Sequence, residues 1–377
     1  MLRVVKIGIV TESFLPQING VTNSVLRILE HFRDRGHDAM VVAPGDGPAE
    51  YAGAAVVRVP AVPLPVYRSF PIALPTRQVE HALREYRPDI VHLASPTVLG
   101  GMGAVAAQRL DVPAVAVFQS DLPAFARRYR LGVTAPAAWG WLRWIHRHAA
   151  LTLAPSSVVA WELEQRGFAP VARWTRGVDL DRFNPMHRSE LMRRHIAPRG
   201  EVVVGYVGRL AAEKQVDRLV RLADLPGTRL VIVGDGPLRA RLERRLTRAR
   251  FLGFRTGGDL SATIASLDVF VHPGEAETFC QAVQEALASG VPVVAPAAGG
   301  PIDLVRHGVN GWLFPSGRPD LLRGAVAELA SDAPAREAMG RAARASVARR
   351  TWPQLGDELL AHYERVLGIE TRRVRAA

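Results

Sequence analysis

The 377-residue chain predicts an α/β protein of two similar halves, each a parallel sheet covered on both faces by helices. Three observations predict it. Short Val/Ile-rich runs alternate with amphipathic stretches, the pattern of strands buried on both sides. The alternation starts afresh near Val202. Between the two series lies Trp174–Pro185 (WTRGVDLDRFNP), a run of turn formers that marks a boundary.

In the first half, Val4–Thr11 is an apolar strand, and a helix follows from about Val21 to Arg35 with Val21, Val25, Ile28, Leu29 and Phe32 on one stripe. Further strands are expected at Ala39–Ala43, Asp89–Ala94, Val112–Phe118 and Leu151–Pro155. In the second half they are expected at Val202–Val207, Leu230–Val233, Leu267–His272 and Val291–Ala295, with helices between them. Trp352–Leu367 reads as a terminal amphipathic helix. The expected domains are therefore 1–183, 184–351 and a terminal helical segment, 352–377. Open parallel sheets bind ligands beyond the carboxyl ends of their strands, so loops at those ends are where site residues belong.

Hydrophobic residues make up 48% of the chain, enough for more than one core. No apolar run reaches the length of a membrane span, and the N-terminus runs directly into a strand, so neither a signal peptide nor a transmembrane helix is expected. The single cysteine, Cys280, excludes an intrachain disulfide and a cysteine-based zinc cage, and fits a cytoplasmic protein. The net charge of +12 comes almost wholly from arginine, because Lys6 and Lys214 are the only lysines. Such a chain attracts anions: nucleotide phosphates, acidic lipid head groups or nucleic acid. No zinc finger, basic heptad helix or basic-aromatic RNA signature is present, which sets nucleic acid aside.

Four strand-end loops carry candidate chemistry. In Thr11–Val21 (TESFLPQINGV), Gly20 precedes the first helix, where backbone N–H groups can approach a phosphate; the plain alternative is a turn glycine with a cap from Asn19. In Gly208–Lys214 (GRLAAEK), Arg209 leaves the strand and Lys214 opens the next helix. The guanidinium as a fork and the ammonium as a point charge can converge on a diphosphate, and retention of lysine in an arginine-writing chain favours that role over two solvated charges. Val233–Pro237 (VGDGP) contains Gly234, which permits close backbone approach to a nucleotide or simply a tight turn.

The fourth loop, His272–Gly290 (HPGEAETFCQAVQEALASG), places Glu277 and Glu285 eight residues apart. On one continuous helix they would differ by about 80° in azimuth and about 12 Å in height, so both could face one hollow. A carboxylate accepts from two vicinal hydroxyls: Glu285 suits a ribose diol, Glu277 a sugar. Free N–H groups over Thr278–Gln281, including those of Phe279 and Cys280, suit phosphate or sugar oxygens. The bland alternative is an acidic first turn and one exposed helical glutamate.

Taken together, these motifs resemble the GT-B retaining glycosyltransferases of group 1 (glycosyltransferase family four) over nearly the whole chain. The resemblance rests on the Gly-rich first loop, Gly177–Val178–Asp179, the Gly-Arg…Lys loop, Gly-Asp-Gly-Pro and Glu-x7-Glu. It implies two Rossmann-like domains facing a cleft, an acceptor-binding first domain, a nucleotide-sugar-binding second domain and a terminal helix crossing back to the first. By motif, Arg209 and Lys214 resemble the diphosphate clamp, Glu285 the ribose ligand, Glu277 a donor-sugar ligand that is also catalytic, and Gly20 a phosphate-facing position. The donor set is completed by Gly234, Phe254, Phe279, Cys280 and Gln281. TESFLPQINGV with ETFCQAVQEA is most similar to actinobacterial GDP-mannose-dependent alpha-mannosyltransferases acting on membrane glycolipids. UDP-sugar-dependent glucosyl- and sulfoquinovosyltransferases share the first motif and remain an alternative, with base choice expected near Phe254–Arg255.

Two positions depart from the family pattern. Gln119 stands where many relatives have His, and can exchange hydrogen bonds but not a proton near neutrality. Thr278–Phe279–Cys280 replaces Gly-Phe-Gly. Gln119 and Asp121 are the sugar- and acceptor-side candidates. The resemblance implies reaction on one face of the sugar, with leaving-group phosphate helping to deprotonate the acceptor. The two glutamates are therefore not read as a hydrolase pair. Asp179–Leu180–Asp181 has D-x-D spacing but lies in the linker and reads as turn chemistry, so no metal and no cofactor is expected.

Phe125–His148 is basic and carries Trp139, Trp141 and Trp144, which suits peripheral binding to an anionic membrane at the inner face of the plasma membrane; packing of two of the three tryptophans into the core is the competing reading. A dinucleotide oxidoreductase is disfavoured because no G-x-G-x-x-G joins the first strand to its helix. A pyridoxal-dependent phosphorylase lacks a spare lysine. A non-catalytic sugar-nucleotide binder satisfies the same motifs.

Overall fold

The computed structural model describes residues 4–63, 71–95, 97–119 and 135–369. The chain divides into two compact units, Met1–Arg176 with Trp352–Ala377, and Gly177–Thr351. The division thus falls just before Gly177, whereas the sequence placed it after Phe183.

In the first unit, β1 (Lys6–Val10), α1 (Gly20–Asp34), β2 (Asp38–Pro44), β3 (Glu50–Tyr51), β4 (Ala54–Val59), β5 (Ala61–Pro63), β6 (Pro71–Ala73), α2 (Gln78–Tyr86), β7 (Ile90–Leu93), α3 (Val98–Arg109), β8 (Ala114–Val117), α4 (Ala135–His146), β9 (Leu151–Ala154), α5 (Ser157–Gln165) and β10 (Val171–Arg173) follow one another. The main sheet has the order β10-β9-β8-β7-β1-β2-β4-β3. Its pairings are parallel except for the short antiparallel β3–β4 pair, and β5 pairs with β6 separately. The strands read as continuous apolar runs because each face is covered: Ile7, Ile9, Val41 and Val115 pack on one side, Val10, Val42, Val91 and Leu93 on the other.

In the second unit come α6 (Glu190–Ile196), β11 (Val202–Val207), β12 (Thr228–Val233), α7 (Arg239–Arg245), β13 (Arg250–Gly253), α8 (Gly257–Ala265), β14 (Val269–Val271), α9 (Gln281–Ala288), β15 (Val293–Pro296), α10 (Pro301–Leu304), β16 (Gly311–Phe314), α11 (Leu322–Ser331) and α12 (Ala333–Ser346). The six strands are all parallel in the order β13-β12-β11-β14-β15-β16. The order reverses direction between β11 and β14, and such a switch point opens a crevice at the strand ends. The first sheet has the equivalent switch between β1 and β7.

The last helix, α13 (Trp352–Val366), belongs to the first unit. Leu355, Leu359 and Tyr363 bury against Phe32 and Trp174. The indole of Trp174 donates to Leu355 O at 2.8 Å, Tyr363 Oη and His92 Nδ1 lie 2.7 Å apart, and His31 Nε2 meets Asp357 Oδ1 at 2.9 Å. The amphipathic stripe read at Trp352–Leu367 therefore docks by packing, with polar groups fixing its register.

Two local expectations are corrected. Lys214 does not open an α-helix: it ends a single 3-10 turn (Ala212–Lys214), Gln215 turns left-handed at φ 50°, and a second 3-10 segment runs Val216–Leu222. Nor do Glu277 and Glu285 share a continuous helix, because α9 begins only at Gln281 after Cys280, which is itself left-handed at φ 79°.

Candidate functional site

The loops after β11 and β14 leave the switch point side by side. The first is anchored from below: Tyr206, fully buried, donates its hydroxyl to Arg209 O at 3.0 Å. It is also anchored sideways to the Gly-Asp-Gly-Pro turn, with Leu210 N donating to Asp235 O at 2.9 Å and Leu238 N to Leu210 O at 2.8 Å. Gly234, at φ 126°, explains this contact, since a Cβ there would stand 2.0 Å from Gly208 O. The close approach that Gly234 permits is therefore between two loops.

The second loop is clamped to the first by three contacts from Gln215 and Arg218. Gln215 Oε1 accepts from Glu275 N at 2.9 Å, and Arg218 donates to Pro273 O at 3.0 Å and pairs with Glu275 at 3.1 Å. This clamp delivers Glu277 to Lys214. Lys214 Nζ donates to Glu277 Oε1 at 2.7 Å, and His272 Nε2 lies 3.3 Å from the same oxygen. Cys280 Sγ completes the group, with one donor atom from each of His272, Glu277 and Cys280 lying within 4.8 Å of the others. Burial alone would raise the Glu277 carboxyl, but Lys214 and His272 reverse this and hold it well below the usual carboxylate range. Burial likewise opposes the charge on His272, yet Cys280 and Glu277 outweigh it and raise the imidazole to about 10. Burial also pulls Lys214 down, and Glu277 more than restores it.

Glu285 lies within α9, with the opposite balance. Burial pushes its carboxyl up to about 7, and the charge of Arg182 and a hydrogen bond from Gln281 offset this only in part. Arg209 pairs with Glu213 at 3.4 Å. Gln281 Nε2 donates to Gly177 O at 3.1 Å. The side chain of Phe279 is in the core, so its backbone is what a ligand could meet. Phe254, just past β13, is 74% exposed and presents a free aromatic face. Asp179 Oδ1 accepts from Arg182 N at 3.0 Å, the turn chemistry expected of it.

At the switch point of the first unit, Asn19 caps α1, accepting from Val21 N and Thr22 N, both at 3.0 Å. Gly20 meets a side chain as well: a Cβ there would stand 2.5 Å from Arg176 Nη1. Arg176 Nη2 donates to Gln119 Oε1 at 2.9 Å, and Gln119 Nε2 donates to Ala94 O at 3.3 Å. Asp121 lies outside the described residues. Sequence reasoning missed Arg176 and His272. The first directly precedes the Gly177–Val178–Asp179 motif and the second opens His272–Gly290, so a cation and an imidazole at strand-end loops were the available signals.

The structure thus brings Lys214 together with Glu277 and Cys280, while Arg209 shares Lys214's loop but turns to Glu213. A cavity of about 750 Å³ in the second unit is elsewhere. Asp268 and Pro292, which line it, directly precede β14 and β15, so it sits at the amino ends of the strands, and of its arginines Arg188, Arg193, Arg336 and Arg344 are engaged in hydrogen bonds. Arg193 donates to Ser266 O and Asp268, and Arg344 to Phe183 O and Ala288 O.

Comparison with known proteins matches residues 187–346 to the glycosyl transferases group 1 model and residues 18–182 to the glycosyltransferase family 4 model. A protein of Mycobacterium tuberculosis called GDP-mannose-dependent alpha-mannosyltransferase is 51% identical, covering 97% of this chain and 98% of its own. Its namesake in Corynebacterium glutamicum is 47% identical over 99% of this chain and 92% of its own. The Arabidopsis thaliana sulfoquinovosyl transferase SQD2 is 34% identical over 89% and 68%. Among solved structures, Anabaena HepE in complex with UDP superposes with a TM-score of 0.78 at 24% identity, covering 96% of this chain and all of that one. Sucrose-phosphate synthase from Thermosynechococcus elongatus gives 0.76 at 18%, covering 97% and 100%. Both structural likenesses speak to the fold, two parallel-sheet units of the GT-B class.

Proposed function

The chain belongs to the group 1 glycosyltransferases (glycosyltransferase family four), and from that premise we propose that it transfers mannose from GDP-mannose to a membrane glycolipid acceptor, forming an alpha linkage with retained configuration. The donor assignment is supported by relatives of that name at 47–51% identity over nearly the full length. The observation that carries the site is the meeting of Lys214, Glu277 and His272 where β11 and β14 diverge.

Lys214 and Arg209 take the donor diphosphate. As the anomeric C–O bond breaks, charge grows on the leaving phosphate oxygen, and fixed cations stabilise it without a metal. The acceptor hydroxyl bonds to the same face of the anomeric carbon and passes its proton to that phosphate oxygen, so no protein nucleophile is required. Glu277, ionised, accepts from donor-sugar hydroxyls and is held in place by Lys214 and His272. Glu285 accepts from the ribose diol, and Phe254 offers its exposed face to the base. Gln119 and Asp121 serve the sugar and acceptor side. Trp141, 41% exposed among basic residues, supports peripheral attachment to an anionic membrane. No helix among the described residues is long and apolar enough to cross one.

Purified protein incubated with labelled GDP-mannose, UDP-glucose or UDP-sulfoquinovose and a lipid extract tests the reading. Transfer of label to lipid from GDP-mannose alone, undiminished by excess EDTA, is expected. Transfer only from a UDP-sugar would move the chain to the alternative represented by SQD2 among its relatives. Complete loss in EDTA restored by magnesium or manganese would overturn the metal-independent mechanism.

A further inference from the structure

We propose that His272, Glu277 and Cys280 bind a thiophilic divalent ion of the zinc class, and that occupancy shuts the donor site by taking Glu277 from Lys214. The regulatory half of this rests on the donor role given above to Lys214 and Glu277.

The donor set is nitrogen, oxygen and sulfur, the three ligand types zinc accepts. One atom of each lies within 4.8 Å of the others, and the His272–Glu277 pair at 3.3 Å already has the spacing of two ligands on one tetrahedral ion, about 3.3–3.7 Å for bonds of 2.0–2.3 Å. With all three atoms within 4.8 Å of one another, closing the site asks for about 1 Å of side-chain movement. The fourth position is left to water or to a ligand, as in open zinc sites.

A second, independent observation points into the same spot. His272 is 2% exposed, and neither ring nitrogen makes a well-aligned hydrogen bond among the described residues, although Nε2 lies 3.3 Å from Glu277 Oε1 and Cys280 and Glu277 together favour its charge. A buried imidazole held by close contacts to a carboxylate and a thiol, without an aligned hydrogen bond, calls for an explanation. The backbone agrees. Cys280 is held at φ 79°, a conformation glycine adopts freely and an L side chain only with strain. The thiol is present in spite of the backbone.

Binding would release the thiol and imidazole protons to solvent. The ion and the Lys214 ammonium would then compete for Glu277 Oε1, the oxygen that Lys214 and His272 now share. With the ion bound, Lys214 faces a dication instead of a carboxylate, and the carboxylate proposed for the donor sugar is occupied.

The test uses full-length protein freed of metal by chelation and titrated with cobalt(II) as a spectroscopic probe, then with zinc(II). One cobalt per chain with a thiolate-to-cobalt charge-transfer band in the near ultraviolet is expected, bleached by equimolar zinc. Cys280→Gly, which suits the left-handed backbone, should fold and lose the band. Zinc should suppress mannosyl transfer at least ten-fold in the parent, reversibly with EDTA, and the ratio of inhibited to uninhibited rate should move toward one in Cys280→Gly. Absence of the band, or its survival in Cys280→Gly, overturns the site. Stoichiometric zinc with unaltered transfer overturns the shut-down. Should the protein transfer no sugar from GDP-mannose, the cobalt spectrum still decides the metal site, so the two readings fail separately.

Discussion

Lys214 Nζ and Glu277 Oε1 are 2.7 Å apart, and each keeps the other charged in surroundings where burial alone would disfavour both charges. One residue comes from a 3-10 turn after β11, the other from the loop after β14, so the pair exists only because two parallel strands diverge there. In the proposed mechanism the ammonium is shared between this carboxylate and the donor diphosphate.

Lys214→Ala should lower kcat/KM by about 10²–10³-fold, the effect of losing one preorganised transition-state partner. It should also lower stability by about 3 kcal/mol, because the buried Glu277 loses the nearer of its two cationic partners and keeps only His272. Steady-state kinetics and urea unfolding separate the two effects. Lys214→Ala with unchanged activity would remove this residue from the site.

Glu285 makes folding pH-dependent in a defined direction. Its folded-state pKa of about 7 exceeds the ordinary 4.5, so its stabilising protonated form is fully present below about pH 4.5 and is lost as pH rises through 7. Between pH 5 and 8 the parent should lose on the order of 2 kcal/mol that Glu285→Gln retains. Glu285→Gln should therefore melt higher than the parent at pH 8 while binding GDP more weakly. Equal pH dependence of Tm in the two proteins would show that the carboxyl is not so perturbed.

Gly20→Ala tests the arginine that sequence reading missed. The added Cβ would meet Arg176 Nη1, the far end of a flexible side chain, so stability should change by less than about 1 kcal/mol. Displacing the guanidinium disturbs its bond to Gln119, and transfer activity should fall well beyond the change in stability. The same bond gives a physical reason for glutamine at 119, since a neutral amide oxygen accepts from the guanidinium where an imidazolium would repel it.

Gly234→Ala should behave oppositely. Its Cβ would stand 2.0 Å from the Gly208 carbonyl, which cannot move without breaking the loop that carries Arg209 and Lys214. A loss above about 3 kcal/mol is expected, read by thermal or denaturant unfolding.

The tryptophans of α4 separate core from surface. Trp139 stacks on Phe118 with Arg166 over its ring at 4.0 Å, so Trp139→Ala should cost about 3–5 kcal/mol. Trp141 stacks on Trp144 at 5.0 Å and is 41% exposed, so Trp141→Ala should leave Tm nearly unchanged and weaken co-sedimentation with anionic vesicles. Equal co-sedimentation of the parent with acidic and neutral lipids would remove the membrane reading.

Much of the fold was legible in order. The expected strands at Val202–Val207 and Leu151–Pro155, and the helices at Val21–Arg35 and Trp352–Leu367, match their elements within a residue or two, because a strand buried on both faces and a one-stripe helix write their periods into the chain. Strands β3, β4, β5, β6, β10, β13 and β16 were not singled out. Two of them, β10 and β13, end their sheets and carry arginines, so the continuous apolar signal of the central strands is absent. Single-residue left-handed breaks at Gln215 and Cys280 were equally illegible, since neither is glycine.

The sequence by itself determined which strand-end loops carry charge and polar groups, because hydrophobic period and turn residues are local properties. Only the tertiary structure decided that Lys214 reaches Glu277 while Arg209 turns to Glu213, that Gly20 makes room for Arg176, and that His272 is buried beside the one thiol. Those are distances between residues far apart in the chain, set by strand order and loop clamping, and no local pattern encodes them.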